Sequence, residues 1–141
     1  MSRFIGLDHG SRRIGVAIAE SETGLAFARP ALRAGDLDQL VTLAANEGAD
    51  LLVIGLPRNM DGSEGPQADA ARRFGDQLAA LGLAVTYQDE RLSSWQAGEL
   101  LSRSGRTPVR QSGELDSAAA RVILQDYLDA QARPRAQQET E

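Results

Sequence analysis

The chain has 141 residues, enough for one domain with a full core; 42% are hydrophobic but only 4% aromatic, so Leu, Val, Ile and Ala must build that core. It has no cysteine and one histidine, which excludes disulfides, thiolate zinc sites, cysteine nucleophiles and a histidine-rich metal centre. The net charge of −5 counts against broad, non-specific nucleic-acid binding, and all fifteen basic residues are Arg, which excludes a P-loop lysine. The first predicted elements are two apolar strands, 3–8 and 13–20, joined by Gly10-Ser11-Arg12. Gly10 is expected to reverse the chain through a positive φ. Residues 24–33 supply a third strand, and Pro30 points to an edge or a bulge.

Asp36 is the expected N-cap of a helix through Leu37, Leu40, Val41 and Ala44, which Gly48 ends. Residues 50–55 form a short apolar run suited to a buried parallel strand. A turn-rich loop, 56–65, precedes a helix from about Pro66 to Leu81, with Ala71, Phe74, Leu78 and Leu81 on one face. A strand at 83–87 runs into Gln88-Asp89-Glu90-Arg91, and Ser93 with Gln96 suggests a capping box for a short helix through about Leu101. Residues 102–113 read as a mobile basic loop. A last helix is expected at 117–131, with Ala119, Val122, Ile123 and Tyr127 inward, and a disordered tail at 133–141. One domain, 1–132, of class α/β with a mixed sheet and helices on both faces follows from this order. No apolar run reaches membrane-span length and no signal-peptide pattern is present, so a cytoplasmic protein without a membrane partner is expected.

Acidic residues fall at element boundaries: Asp8 ends the first strand, Asp89-Glu90 ends the last, and Asp116 opens the last helix. In α/β sheets, sites gather at the carboxyl ends of strands. Carboxylates that converge there repel one another unless divalent cations sit between them. Oxygen ligands without sulfur favour Mg²⁺ or Mn²⁺, and two such ions about 4 Å apart suit phosphodiester hydrolysis. Each acid also has a plainer use: Asp8 as a turn opener, Asp116 as an N-cap, and Asp89 or Glu90 as a surface partner of Arg91. Successive strand residues point to opposite faces, so one of Asp89 and Glu90 faces such a site and the other does not.

Four segments together resemble a known family. They are Ile5–Ala17, Val53–Ser63, Asp89–Ser94 with Ala97, and Leu115–Ala120 with Ile123–Leu128. In this order, over residues 3–129, they resemble the bacterial pre-16S rRNA nuclease family, also described as Holliday-junction-resolvase-like. The resemblance implies a ribonuclease H-like fold with strand order 3-2-1-4-5. It implies a Mg²⁺- or Mn²⁺-dependent endonuclease, a hydrolase acting on ester bonds that processes the 5′ end of precursor 16S rRNA in ribosome biogenesis. Carried over by position, the catalytic and metal-binding residues are Asp8, Glu90 and Asp116, with Asp89 a further metal candidate. His9 stands where an aromatic residue is common, and Trp95 at a position expected to vary.

An acidic nuclease needs a local basic surface. Arg12, Arg13, Arg58, Arg103, Arg106 and Arg110 are the candidate nucleic-acid contacts. Trp95 could stack on a base, though burial of part of its ring against the preceding loop explains it more simply. The expected partners are precursor rRNA or a DNA four-way junction, and ribosomal particles, with the protein a monomer or a homodimer. A Holliday-junction resolvase would use the same chemistry. A ribosome-assembly factor without catalysis would bind RNA with or without metal. Asp8-His9-Gly10-Ser11 also resembles the phosphate loop of actin-like ATPases, which need a second related domain that this length does not accommodate.

Overall fold

The computed structural model describes residues 2–90 and 114–140. The elements run β1 (Arg3–His9), β2 (Arg13–Glu20), β3 (Ala26–Arg33), α1 (Leu37–Glu47), β4 (Leu51–Leu56), α2 (Pro66–Ala80), β5 (Val85–Asp89) and α3 (Glu114–Thr140). The capping-box helix near Ser93 and the basic loop lie outside the described residues. The five strands form one mixed sheet in the order β3-β2-β1-β4-β5. β1–β2 and β2–β3 are antiparallel, while β1–β4 and β4–β5 are parallel. Among the described residues, no helix is long and apolar enough to cross a membrane.

Strand alternation divides the core between two faces. Ile5, Leu7, Val16, Leu52, Ile54 and Leu56 point toward α1 and α2, where Leu40, Ala44, Ala71, Phe74 and Leu78 complete the larger cluster. Ala17, Ala19 and Val53 point the other way and meet Ala120, Ile123 and Leu124 of α3. Gly6 sets the close approach of α3: a Cβ there would lie 2.7 Å from Leu124 Cβ and 2.9 Å from the Ala120 carbonyl oxygen. The expected face of α2 is buried except at Leu81, which lies past the helix end and is 51% exposed. Asp36 caps α1 by accepting from Gln39 N–H, and Gly48 ends it in the left-handed conformation.

Pro30 produces the expected irregularity. The β2–β3 register shifts between Ile14 and Val16, opposite the Pro30 segment. At this bulge the Val16 N–H donates to Ser117 Oγ at 3.4 Å, and Ser117 is buried. The bond seats the first turn of α3 on β2. β5 begins and ends two residues later than the sequence predicts, which brings Asp89 into the strand. α3 starts at Glu114, so Asp116 is inside its first turn rather than at its cap. Its backbone stays helical to Thr140, through Pro134 and over the segment expected to be a disordered tail. Gly10 is not among the glycines with positive φ. Its lack of a side chain serves a close approach instead, since a Cβ would sit 2.7 Å from the Arg13 carbonyl oxygen.

Candidate active site

Asp8 is the sixth residue of β1 and pairs with Gly15 of β2. It alternates with Ile5 and Leu7, so it lies on the α3 face. His9 takes the other face and stacks on Phe74, ring centroids 4.7 Å apart. Burial and the nearby Arg73 hold its pKa below the usual value. It packs away from Asp8, in keeping with the expectation that it is not a ligand.

The same parity separates the acids at the end of β5. Val85 and Tyr87 pack on the α2 side, which assigns Asp89 to that side and Glu90 to the α3 face with Asp8. The Glu90 N–H donates to the Leu56 carbonyl oxygen at 3.1 Å, so the parallel ladder extends one residue and fixes Glu90. Between β1 and β5 runs β4, whose Gly55 leaves room for the Glu90 carboxylate: a Cβ at Gly55 would lie 2.7 Å from Glu90 Oε2. The Asp8 and Glu90 side chains are close enough to hydrogen-bond to one another, and Glu90 Oε2 is buried. Burial, then the charge of Asp8, push the Glu90 pKa up to about 9, with the Asp8 hydrogen bond and Asp89 adding to the rise. Two carboxyl groups in contact hold a proton between them; a divalent cation can take its place.

Ser117 on the Val16 amide places the backbone of Asp116 beside the strand pair that carries Asp8. The Asp116 side chain, and Arg103, Arg106, Arg110 and Trp95 entirely, lie outside the described residues. Among the described residues no three acidic or histidine side chains form a metal cluster. Arg12 lies in the turn after β1 and Arg13 opens β2, Arg12 exposed and Arg13 half-buried. Arg58 stands at the start of the β4–α2 loop, with Nη2 3.7 Å from Glu64 Oε2. Sequence reasoning missed Gly55, whose only signal was a glycine inside an apolar strand. It missed Glu64 as well, which binds Arg72 at a separation that no local periodicity rule covers.

The sequence profile of the RuvX family, described as Holliday junction resolvase, matches residues 2–130. The chain belongs to this family. It is thereby a nuclease, a hydrolase acting on ester bonds. A relative from Synechococcus elongatus called "Putative pre-16S rRNA nuclease" is 44% identical over 136 residues, covering 93% of this chain and 91% of its own. One of the same name from Chloroflexus aggregans is 44% identical and covers 93% of this chain and 96% of its own. The fold is similar to that of T. thermophilus RuvC in complex with a Holliday junction substrate, with a TM-score of 0.54 at 13% identity, covering 94% of this chain and 96% of that one. The yeast mitochondrial Holliday junction resolvase Ydc2 gives a TM-score of 0.55 at 10% identity, covering 96% and 81%. The expected ribonuclease H-like architecture is thus the observed one.

Proposed function

We propose that this nuclease hydrolyses phosphodiester bonds in precursor 16S rRNA, at its 5′ end, with Mg²⁺ or Mn²⁺ held by Asp8, Glu90 and Asp116. The observation that carries this reading is the meeting of the Asp8 and Glu90 carboxyl groups beside the bare backbone of Gly55. The donors are oxygens only, which suits hard divalent cations. When bound, such a cation supplies Lewis acidity at the phosphate and lowers the pKa of water. Asp8, rigid within β1, fixes one side of the site, and Glu90 closes it from β5. Asp89 points to the other face and contributes charge rather than ligation. Arg12, Arg13 and Arg58, at the same end of the sheet, bind and orient substrate phosphates. The names of the relatives favour rRNA as substrate.

A DNA four-way junction is the second reading, favoured by the family's description and by the resolvase-like fold. It calls for a symmetric dimer that cuts two strands related by a two-fold axis. Purified protein given a precursor 16S rRNA fragment or a four-way junction, each with Mg²⁺, Mn²⁺ or EDTA, separates the readings. Cleavage of the rRNA fragment with either metal and none in EDTA is the expected result. Equal cleavage in EDTA would remove the metal from the reading. Asp8→Asn is expected to lower cleavage by about 10³-fold or more without lowering the melting temperature, because the amide keeps the shape and loses a charge that repels Glu90. Full activity in a highly purified Asp8→Asn protein would falsify the assignment.

Arg103, Arg106 and Arg110 are assigned to the substrate's phosphates from sequence alone. Their joint replacement by Ala should weaken binding of many sequences alike and flatten its salt dependence. Each lost contact changes the slope of log K against log salt by about 0.7 on single strands, so three change it by roughly two. A salt titration of binding in Ca²⁺, where that ion does not support cleavage, measures it. An unchanged slope moves the basic surface to Arg12, Arg13 and Arg58.

A further inference from the structure

The 57–65 loop leaves β4 at Leu56, whose carbonyl oxygen accepts the Glu90 N–H, so the loop starts at the carboxylate pair. Its tip is closed on itself. Asn59 N–H donates to the Ser63 carbonyl at 2.8 Å, Gly62 N–H to the Asn59 carbonyl at 2.9 Å, and Ser63 N–H to Asp61 Oδ1 at 2.9 Å. Gly62 makes the turn with φ +88°. The far end of the loop is tied down by Glu64. Arg72 of α2 donates from Nε to Oε1 and from Nη2 to Oε2 of Glu64, both at 2.8 Å. The Arg72 guanidinium lies 5.3 Å from the centre of the Tyr87 ring, and the Tyr87 hydroxyl donates to the Arg72 carbonyl at 3.5 Å. Tyr87 belongs to β5, three residues before Glu90. One continuous chain of contacts thus joins the loop to the strand that carries Glu90.

Arg58 Nη2 reaches the same Glu64 Oε2, but at 3.7 Å. The paired bonds go to Arg72, so Arg58, at the longer distance, is the more loosely held of the two cations. It lines an open groove of about 460 Å³ with Pro57, Asn59, Gly65 and Gln67. An arginine on a surface loop ordinarily gives up much rotamer freedom on binding a ligand. Here a neighbouring carboxylate, itself held by a planar fork, reduces that cost in advance.

We propose that Glu64 and Arg72 are positioning residues for Arg58, holding its guanidinium on the loop that leaves β4 at Leu56 to receive a substrate backbone phosphate near the one being cut. The proposal rests on the reading of Arg58 as a phosphate contact. It carries an unusual sign. By charge alone, removing an anion from a nucleic-acid surface tightens binding; removing a positioning anion loosens it.

The test measures KM and kcat on a precursor 16S rRNA fragment, and Kd of the same labelled fragment in Ca²⁺ by fluorescence anisotropy. The variants are Glu64→Ala, Arg72→Lys, Arg58→Ala and the Glu64→Ala/Arg58→Ala double. Glu64 and Arg72 are partly exposed surface side chains, and melting curves check that every variant folds. Glu64→Ala and Arg72→Lys are each expected to raise KM and Kd by about three- to tenfold with kcat within about twofold of the parent. Arg72→Lys keeps the charge and loses the fork, so a purely electrostatic role would leave it unchanged. The double variant is expected to bind no worse than Arg58→Ala. Unchanged or tighter binding in Glu64→Ala, or additive losses in the double, overturns the proposal. An Arg58→Ala protein with parental Kd and salt slope removes the phosphate contact beneath it and leaves the metal-site reading standing.

Discussion

Glu90→Gln is expected to abolish cleavage and, in metal-free protein near pH 8, to raise the melting temperature. The two effects share one cause. Burial beside Asp8 lifts the Glu90 pKa to about 9, so the folded protein binds this proton more tightly than the unfolded chain does. The stability that the group contributes is therefore fully present below its ordinary pKa, near 4.5, and is lost as pH rises toward about 9. The amide of the Glu90→Gln variant does not titrate and carries no such dependence. Each tenfold change in proton affinity is worth about 1.4 kcal/mol, roughly 4 °C or more in Tm for a chain of this length. Mg²⁺ or Mn²⁺ should raise the parent's Tm, by about 2.7 kcal/mol of stability at a hundredfold excess over Kd, and should leave Glu90→Gln almost unmoved. Asp89→Asn, on the opposite face, should keep most of both the activity and the metal response. Melting curves from pH 5 to 9, with EDTA and with metal, decide this. A Glu90→Gln protein that melts below the parent in EDTA at pH 8 contradicts the account, and an Asp89→Asn protein with the greater loss of cleavage would reverse the two assignments.

Gly55→Ala should lower kcat by about a hundredfold. The added methyl would sit 2.7 Å from Glu90 Oε2 and 2.5 Å from Ile123 Cδ1. The end of the Ile123 side chain can rotate away. The carboxylate cannot do so without leaving Asp8, and a misplacement of about 1 Å in a reacting constellation costs on the order of 10²-fold. Overpacking of the α3 face adds about 1–3 kcal/mol of destabilisation, although Ala is otherwise the better residue inside a strand. Shortening the acid should relieve part of the clash, so Gly55→Ala/Glu90→Asp is expected to exceed Gly55→Ala in activity. Single-turnover cleavage rates of the parent and the two variants test this. Parental rates in Gly55→Ala would mean that Glu90 does not need the space.

Much of this architecture is legible in the sequence because it is written in local periods. The alternation in β1 and β2, the caps at Asp36 and Gly48, and the Pro30 bulge each follow from residues a few positions apart. The acids at strand ends are legible as candidates for the same reason. The choice between Asp89 and Glu90 was not, since it depends on which face of β5 packs toward α2, and Val85 and Tyr87 pack on the core cluster of that side. The role of Gly55 depends on β4 lying between β1 and β5, which is a property of sheet order. Glu64 with Arg72 spans a loop and a helix start, where an i,i+4 rule points instead to Asp69 and Arg73. The Gly10 conformation was misread because a glycine can be required by a neighbour's carbonyl as well as by a positive φ.

The seating of α3 on the sheet has a consequence for a chain emerging from the ribosome. Gly6, Ala17, Ala19 and Val53 present a face that, among the described residues, Ala120, Ile123 and Leu124 of α3 cover. Asp8 is made before Glu90 and Glu90 before Asp116, so the candidate centre draws on residues translated at well-separated times. A nascent polypeptide that has reached Asp89 holds all five strands, while the α3 residues that cover this apolar flank are still to be made. If Asp116 joins Asp8 and Glu90 as proposed, the candidate centre is completed only once α3 has been made and has docked on this face.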